Sequence, residues 1–289
     1  MTDPTEPQLL ILFQEYLVHQ GMAPATIRNY LADINSFSRW YTLETANGAS
    51  LLDCSAADLR TFCATMDHKG LAVSTINRRL QALRKFGQFT VEAGLREHNP
   101  AHDVALLPVA SASPMRALSD IEADELLETI LSRAKPGQAK RDYAMVMTLL
   151  TCGLRLRELV DLLLEDVELG PDQGYLMVGS SSAAGGRVIP FGMAPAKALQ
   201  DYLRVRPNAP GEGRFFLNRE GRPIAPRTVQ RIVAHYAQAA GLENVSTQTL
   251  RMTFAHAMFK GTGDLETVAR LMGHSSTTTT ARYFDLGDS

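Results

Sequence analysis

The stretch Thr151-Cys-Gly-Leu-Arg-Leu-Arg-Glu-Leu159 decides how the second half of the chain is read. An apolar-periodic segment, 139–152, leads into it and another, 156–164, leads out, so Gly153 marks a break between two helices. Arg155 then stands at the start of the second helix. Backbone N–H groups there lack intrahelical partners, and a guanidinium beside them makes a seat for an anion. Glu158 lies one turn on, within reach of Arg155. An ordinary helix break with surface charges would look the same, so the meaning depends on what lies downstream.

Three further stretches bear on it. In Ser246-Thr-Gln-Thr-Leu-Arg-Met-Thr-Phe-Ala255, Gln248 and Arg251 share a helix face while Leu250, Phe254 and Met258 point to the core. Leu271-Met-Gly-His-Ser275 reads as a helix ended at Gly273, with His274 just beyond. After the threonine run Thr277–Thr280 comes Tyr283, nine residues past His274. Read one by one, these are a plain helix, a C-cap and a packing tyrosine.

Outward from this core, helices are expected at 119–132, 193–205, 226–240, 248–260 and 264–272, with strands at Tyr175–Val178 and Arg187–Phe191. Ser119 with Glu122 forms a capping box that starts the first of these helices. The uncharged run from Gly179 to Gly186 reads as a hairpin loop. Ahead of this mixed unit, four amphipathic segments read as a helical bundle: Gln8–Val18, Ala25–Trp40, Ser55–Lys69 and Ser74–Ala93. The first carries Leu9, Leu10, Leu12, Phe13, Tyr16 and Leu17 on its apolar stripe. The fourth turns Ile76, Leu80, Leu83, Phe86 and Phe89 inward and Arg78, Arg79, Arg84 and Lys85 to its other face. Asn99-Pro100 ends the bundle, because the residue before proline avoids helical backbone. A linker rich in Pro, Ala and Ser is expected at 103–116, giving domains at 1–102 and 117–289. The fold class is mainly α with a small β-sheet: an N-terminal helical bundle followed by an α+β domain.

Composition narrows the class further. Of the 289 residues, 45% are apolar and 21% charged, as in ordinary globular domains, and no apolar run is long enough to span a bilayer. The N-terminal MTDPTEPQ lacks the features of a signal peptide, so a cytoplasmic location is expected. Cys54, Cys63 and Cys152 show neither metal nor disulfide spacing and read as small buried residues. A net charge of −2 speaks mildly against a nucleic-acid partner, yet positive charge clusters at Asn77–Lys85 and at Arg214–Arg231.

The four stretches in this order, spread over about 130 residues, resemble the tyrosine recombinase or phage-type integrase family. The first unit agrees: Thr26-Ile-Arg-Asn-Tyr-Leu-Ala-Asp-Ile-Asn-Ser-Phe-Ser-Arg-Trp40 and Asn77-Arg-Arg-Leu-Gln-Ala-Leu-Arg-Lys-Phe86 are similar to the SAM-like core-binding domain of Xer-type members, and Asn99-Pro-Ala101 resembles its end. The resemblance implies a site-specific recombinase whose tyrosine attacks a DNA phosphodiester, forms a 3′-phosphotyrosyl bond and releases a 5′-hydroxyl, with no metal or other cofactor. Arg155 and Arg251 match the family's two arginines, His274 its phosphate-binding His or Trp, Tyr283 its nucleophile and Glu158 its accessory acid. Planar, permanently charged guanidiniums suit a phosphoryl transition state whose negative charge is spread over oxygens. The implied partner is double-stranded DNA with inverted-repeat sites, bound by a dimer to tetramer, with no membrane.

The sequence also departs from the family's pattern. Gln248 stands where the family has a histidine, Met252 where it has the next, and the hairpin lacks the usual lysine general acid. Groups that grip and attack the phosphate are present and the proton handlers are not. General acid–base help is typically worth about 10²–10⁴-fold, so attenuated chemistry is expected. A degenerate member that binds sites without cutting is the alternative, with an engineered variant and a topoisomerase-like relaxing enzyme as lesser ones. With only Phe284–Ser289 after Tyr283 and seven residues ahead of residue 8, neither a C-terminal docking helix nor an N-terminal arm-binding domain is expected. DNA contacts are expected from Arg78, Arg79, Arg84 and Lys85 in the first unit. In the second they are expected from Arg187, Arg222 and the helix start carrying Arg227, Thr228 and Arg231, so that the two units clamp a duplex.

Overall fold

The computed structural model describes residues 4–45, 50–108, 116–135, 137–179, 186–274, 276–281 and 283–284. The chain forms two compact units, Met1–Ala112 and Ser113–Ser289.

The first unit is built from α1 (Glu6–His19), α2 (Pro24–Thr45), α3 (Ala56–His68) and α4 (Val73–Glu92). Apolar residues at helical spacing converge on one core. It holds Phe13, Ile34, Phe37, Phe62, Ile76, Leu80 and Phe86, with Phe13 edge-on to Phe86 at 5.2 Å. On the expected apolar stripe of α1, Leu9, Phe13 and Leu17 are buried and Leu10 and Tyr16 pack half-buried on the same core, whereas Leu12 is 43% exposed.

The bundle does not stop at Asn99-Pro100. Asn99 caps a short 3-10 turn, Pro100–Asp103, that packs on α3 and α4 and buries Ala101; Val104, just beyond it, joins the same core. Asn77 then exchanges two bonds with the Leu107 backbone, at 2.8 and 2.9 Å. Residues 103–107, expected to begin a linker, are therefore fastened to the first unit. The remainder of that stretch, 109–115, lies outside the described residues.

In the second unit, Ser119 and Glu122 form the capping box that starts α5 (Asp120–Arg133). Next comes α6 (Ala139–Cys152), the central helix, buried on nearly every side and enclosed by elements before and after it. It is followed by α7 (Leu156–Asp161) and an antiparallel sheet of β1 (Val167–Leu169), β2 (Gly174–Val178) and β3 (Arg187–Phe191), in which Leu176 pairs with both Val167 and Ile189. Helix α7 is shorter than the 156–164 expected. The Leu164 N–H bonds the Gly213 carbonyl at 2.8 Å and Leu163 bridges Arg214, so Leu162–Leu164 turns toward another chain segment instead of continuing the helix. The hairpin tip, 180–185, lies outside the described residues, and with it the loop lacking a lysine.

The unit closes with α8 (Met193–Leu203), α9 (Pro226–Ala239), α10 (Thr247–Thr262), α11 (Leu265–Met272) and α12 (Thr277–Ala281). Both β1 and α12 were unexpected. All three cysteines are buried and free, and burial pushes each thiol upward, that of Cys152 to about 12. Among the described residues, no helix is long and apolar enough to cross a membrane.

Candidate active site

The site begins at Gly153. It caps α6 in left-handed backbone, φ +58°, and its carbonyl accepts Arg251 Nη1 at 2.5 Å. Arg155 is the N-cap of α7, and its backbone N–H donates to Glu158 Oε2 at 2.6 Å while its Nη1 reaches Oε1 at 3.0 Å. Arg187, at the first position of β3, brings a second guanidinium: Nη1 and Nη2 donate to the two oxygens of Glu158 at 2.9 and 2.8 Å. Arg251 completes the ring 3.8 Å from the same carboxylate. Three guanidiniums thus share one glutamate, which leaves the cluster with an excess of about two positive charges.

The end of α11 holds these arginines in place. Leu271 O accepts Arg187 Nε at 2.7 Å, Met272 O accepts Arg251 Nη2 at 2.6 Å, and Gly273 O accepts Arg155 Nη2 at 2.6 Å. These carbonyls lack intrahelical donors and carry the negative end of the helix dipole, so cations are favoured there. Gly273 is itself required. Its φ is +65°, and a Cβ would lie 2.6 Å from Arg187 Nη1.

His274 follows immediately, with its N–H bonded to Ala269 O at 3.0 Å. Its Nε2 lies 3.0 Å from Arg251 Nη2, which can only donate, so Nε2 accepts. The proton therefore sits on Nδ1, which donates to Thr280 Oγ1 at 2.8 Å, and Thr280 is itself fully buried. Burial first, and then the charges of Arg251, Arg155 and Arg187, push His274 down to about 4, so the ring is neutral at physiological pH. Burial opposes ionisation of Glu158, but the bonds from Arg187 and the Arg155 N–H outweigh it and hold the carboxyl below its ordinary value. Burial also lowers Arg251, which is 2% exposed, while the Tyr283 hydroxyl opposes that shift.

Tyr283 is brought to this cluster by its own chain. Its Oη accepts Gln248 Nε2 at 2.5 Å, and its ring centre lies 5.6 Å from that of His274. Its carbonyl accepts His256 Nε2 at 2.9 Å. All six residues expected at the site from sequence, Arg155, Glu158, Gln248, Arg251, His274 and Tyr283, are thus joined by direct contacts. Arg187, expected on the DNA-facing surface, belongs to the same cluster. Met252 is buried in the core and takes no part. Thr280 and His256 were missed. Thr280 sits in a run of identical residues and His256 lies on the turn after Arg251, and neither position stands out before the fold is known.

The expected DNA contacts divide into free and occupied side chains. Arg78 and Arg79 both pair with buried Asp33 on α2, and Arg79 also donates to Ser36 at 3.1 Å. Arg84 turns away from solvent and donates to the carbonyls of Ala101 and Val104 at 3.1 and 2.6 Å. Lys85 lies over the Tyr16 ring, 5.2 Å from its centre. In the second unit Arg227 and Arg231 are exposed on α9, Thr228 is half-buried, and exposed Arg222 stands 3.9 Å from Glu220.

Comparison with known proteins places this geometry in a class. Residues 118–289 match the model of the phage integrase family, and residues 10–94 match the phage integrase N-terminal SAM-like domain. The chain belongs to the phage integrase family. It is 31% identical over 265 residues to the tyrosine recombinase XerC of Pelobacter propionicus, covering 91% of this chain and 85% of the relative. Against the tyrosine recombinase XerD of Proteus mirabilis the identity is 30% over 296 residues, covering 98% and 90%. Among solved structures, a lambda integrase tetramer bound to a Holliday junction shares the fold at TM-score 0.75 and 18% identity, covering 100% of this chain and 80% of that one. A XerH recombinase in a post-cleavage complex with a palindromic substrate does so at TM-score 0.72 and 18% identity, covering 100% and 95%.

Proposed function

We propose that this chain is a site-specific recombinase that cleaves and rejoins double-stranded DNA through Tyr283, with Arg155, Arg251 and His274 gripping the scissile phosphate. The observation that carries this reading is the Tyr283 hydroxyl, bonded to Gln248 at the edge of the arginine cluster of its own chain. The Oη oxygen attacks phosphorus, the bond to the 5′-oxygen breaks, and a 3′-phosphotyrosyl bond remains. A 5′-hydroxyl reverses the step and reseals a strand, so bond energy is conserved. The guanidiniums stabilise charge developing on the non-bridging oxygens, in a site where Glu158 and the α11 carbonyls have already oriented them.

The reaction is attenuated in this reading. Gln248 donates to the phenol oxygen, which steadies a developing phenolate, but an amide has no basic site for the proton. Arg187 is too weak an acid to protonate the leaving 5′-oxygen, and Glu158 and Leu271 already engage it. The division of labour follows the two units: the first, through residue 107 at least, as the core-binding part, and residues 117–289 as the chemical part. Arg78, Arg79, Lys85, Arg222, Arg227, Thr228 and Arg231 contact the backbone of inverted-repeat sites, on which two to four protomers assemble.

The test is a nicked suicide duplex carrying a site that the protein itself has selected from a random-sequence pool. Wild type is expected to form a covalent adduct resistant to denaturant, and Tyr283→Phe to bind the duplex equally well without forming one. Binding by wild type with no adduct would leave a non-cleaving member of the family as the reading.

A further inference from the structure

We propose that His256 is a positioning residue that sets the Tyr283 hydroxyl in the phosphate site. The inference rests on Tyr283 being the nucleophile. One face of α10 touches the nucleophile's segment along its length. Near the start of the helix Gln248 holds the hydroxyl at 2.5 Å, and two turns on His256 holds the backbone carbonyl at 2.9 Å. Beyond the tyrosine, Phe284 lies against the His256 ring at 4.8 Å and the Phe259 ring at 4.7 Å between centres. Tyr283 and Phe284 also pack on a small apolar cluster of Phe254, Ala255, Val268 and Met272.

This anchorage matters because the segment's own helix is short. Helix α12 has five residues, four of them threonines, a length and composition that do not sustain a helix unaided. Its described attachments include packing on α11, buried Thr280 bonded to His274, and the contacts of Tyr283 and Phe284 with α10 and that cluster. A carbonyl only accepts, so His256 Nε2 carries the proton, and the neutral Nε2–H tautomer and the imidazolium serve equally. His256 contacts the backbone of Tyr283, not its hydroxyl, so it acts on where the nucleophile sits and takes no part in proton transfer.

Three variants of the full chain separate the components. H256F keeps a ring against Phe284 and removes the donor, H256Q keeps a donor and removes the ring, and H256A removes both. Adduct formation is followed as a first-order rate at saturating suicide duplex, beside duplex affinity and thermal midpoint. H256F and H256A are expected to react at least about tenfold more slowly, since small displacements of a reacting group are costly. H256Q should recover to within about threefold of wild type, with affinity unchanged in all three. Without DNA, chymotrypsin should nick H256F at Tyr283 and Phe284 faster than it nicks wild type.

Wild-type rates in H256F, or no recovery in H256Q, overturn the proposal. So does a loss that tracks affinity or midpoint. If wild type itself forms no adduct, the recombinase reading fails first. The nicking comparison then decides the anchorage alone, and unchanged nicking in H256F refutes it.

Discussion

Glu158→Gln removes the one carboxylate that three guanidiniums share, and its effect can be worked from the bonds. Four hydrogen bonds reach Glu158, two at each oxygen: the Arg155 N–H and Arg187 Nη2 on Oε2, and Arg155 Nη1 and Arg187 Nη1 on Oε1. An amide keeps two of them and turns an NH2 group toward donors at the other two. Hydrogen bonds to charged groups contribute about 1.5–3 kcal/mol each, and the low end applies because the Arg155 side chain is 44% exposed. The free protein should therefore lose about 2–3 kcal/mol, or roughly 5–10 °C in the midpoint of the catalytic unit. Bound anion reverses part of the loss. With no internal carboxylate competing for the arginines, sulfate should bind about tenfold more tightly than in wild type, so its stabilising increment grows. The assay is thermal unfolding at neutral pH, with sulfate and with chloride at matched ionic strength. A variant as stable as wild type, or one that gains no more from sulfate than wild type does, refutes the charge-sharing argument.

The acid limb of stability should fall in two steps. The folded state holds His274 at about 4 against 6.5 unfolded, so its contribution is complete above 6.5 and is lost as pH falls toward 4. Glu158, held below its ordinary 4.5, adds a second loss further down. Thermal midpoints of wild type and His274→Asn across pH check the first step, which should be missing from the variant. Arg227→Ala should leave stability unchanged and reduce the salt slope of binding to a mixed-sequence duplex by about one. Arg84→Ala should instead destabilise the first unit by about 1–2 kcal/mol through its two lost carbonyl bonds, and equal salt slopes with no loss of stability would contradict that assignment. Gly153→Ala combines a positive φ with a Cβ driven into the Phe254 ring, and should cost about 2–5 kcal/mol by urea unfolding. Gly263→Ala, at a similar φ with open space around it, should cost about 1–2 kcal/mol.

Much of this architecture was legible because local chemistry punctuates it strongly. Gly153, the Ser119–Glu122 box and Pro226 mark helix ends that the structure reproduces within a residue. What escaped depends on contacts distant in sequence. Strand β1 has three residues and no alternation to betray it, and it exists through pairing with β2. Helix α12 is a threonine run that propensity argues against, yet it forms where Thr280 can be buried against His274. Leu162–Leu164 continues a helical pattern until the Gly213 and Arg214 backbone captures it. Arg84 is charged like Arg78 and lies outside the apolar stripe of α4, and only the fold shows that the chain after Asn99 supplies carbonyls, at Ala101 and Val104, that claim it. The six residues that converge could be named from sequence as candidates, whereas their coupling through Arg187 could not, because Leu271 lies 84 residues away from it.

That coupling changes what the Leu271-Met-Gly-His274 stretch means. As sequence, it ends a helix and presents a histidine. As structure, it also supplies three successive carbonyls, each accepting one arginine from a different element. Guanidiniums this close repel one another, and one glutamate neutralises only a third of their charge. The helix terminus offsets part of the remainder with dipoles that are fixed before any phosphate arrives, so the arginines need little reorganisation on binding. The glycine is needed twice over: for the backbone turn that ends α11 and for the space that Arg187 and Arg155 occupy beside its missing side chain. The same turn sends the chain on through His274 to Thr280 and Tyr283. One helix end therefore sets both the charge proposed to receive a phosphate and the path of the residue proposed to attack it. A perturbation of α11 should accordingly disturb gripping and attack together, even though none of its own side chains is among the groups proposed to touch DNA.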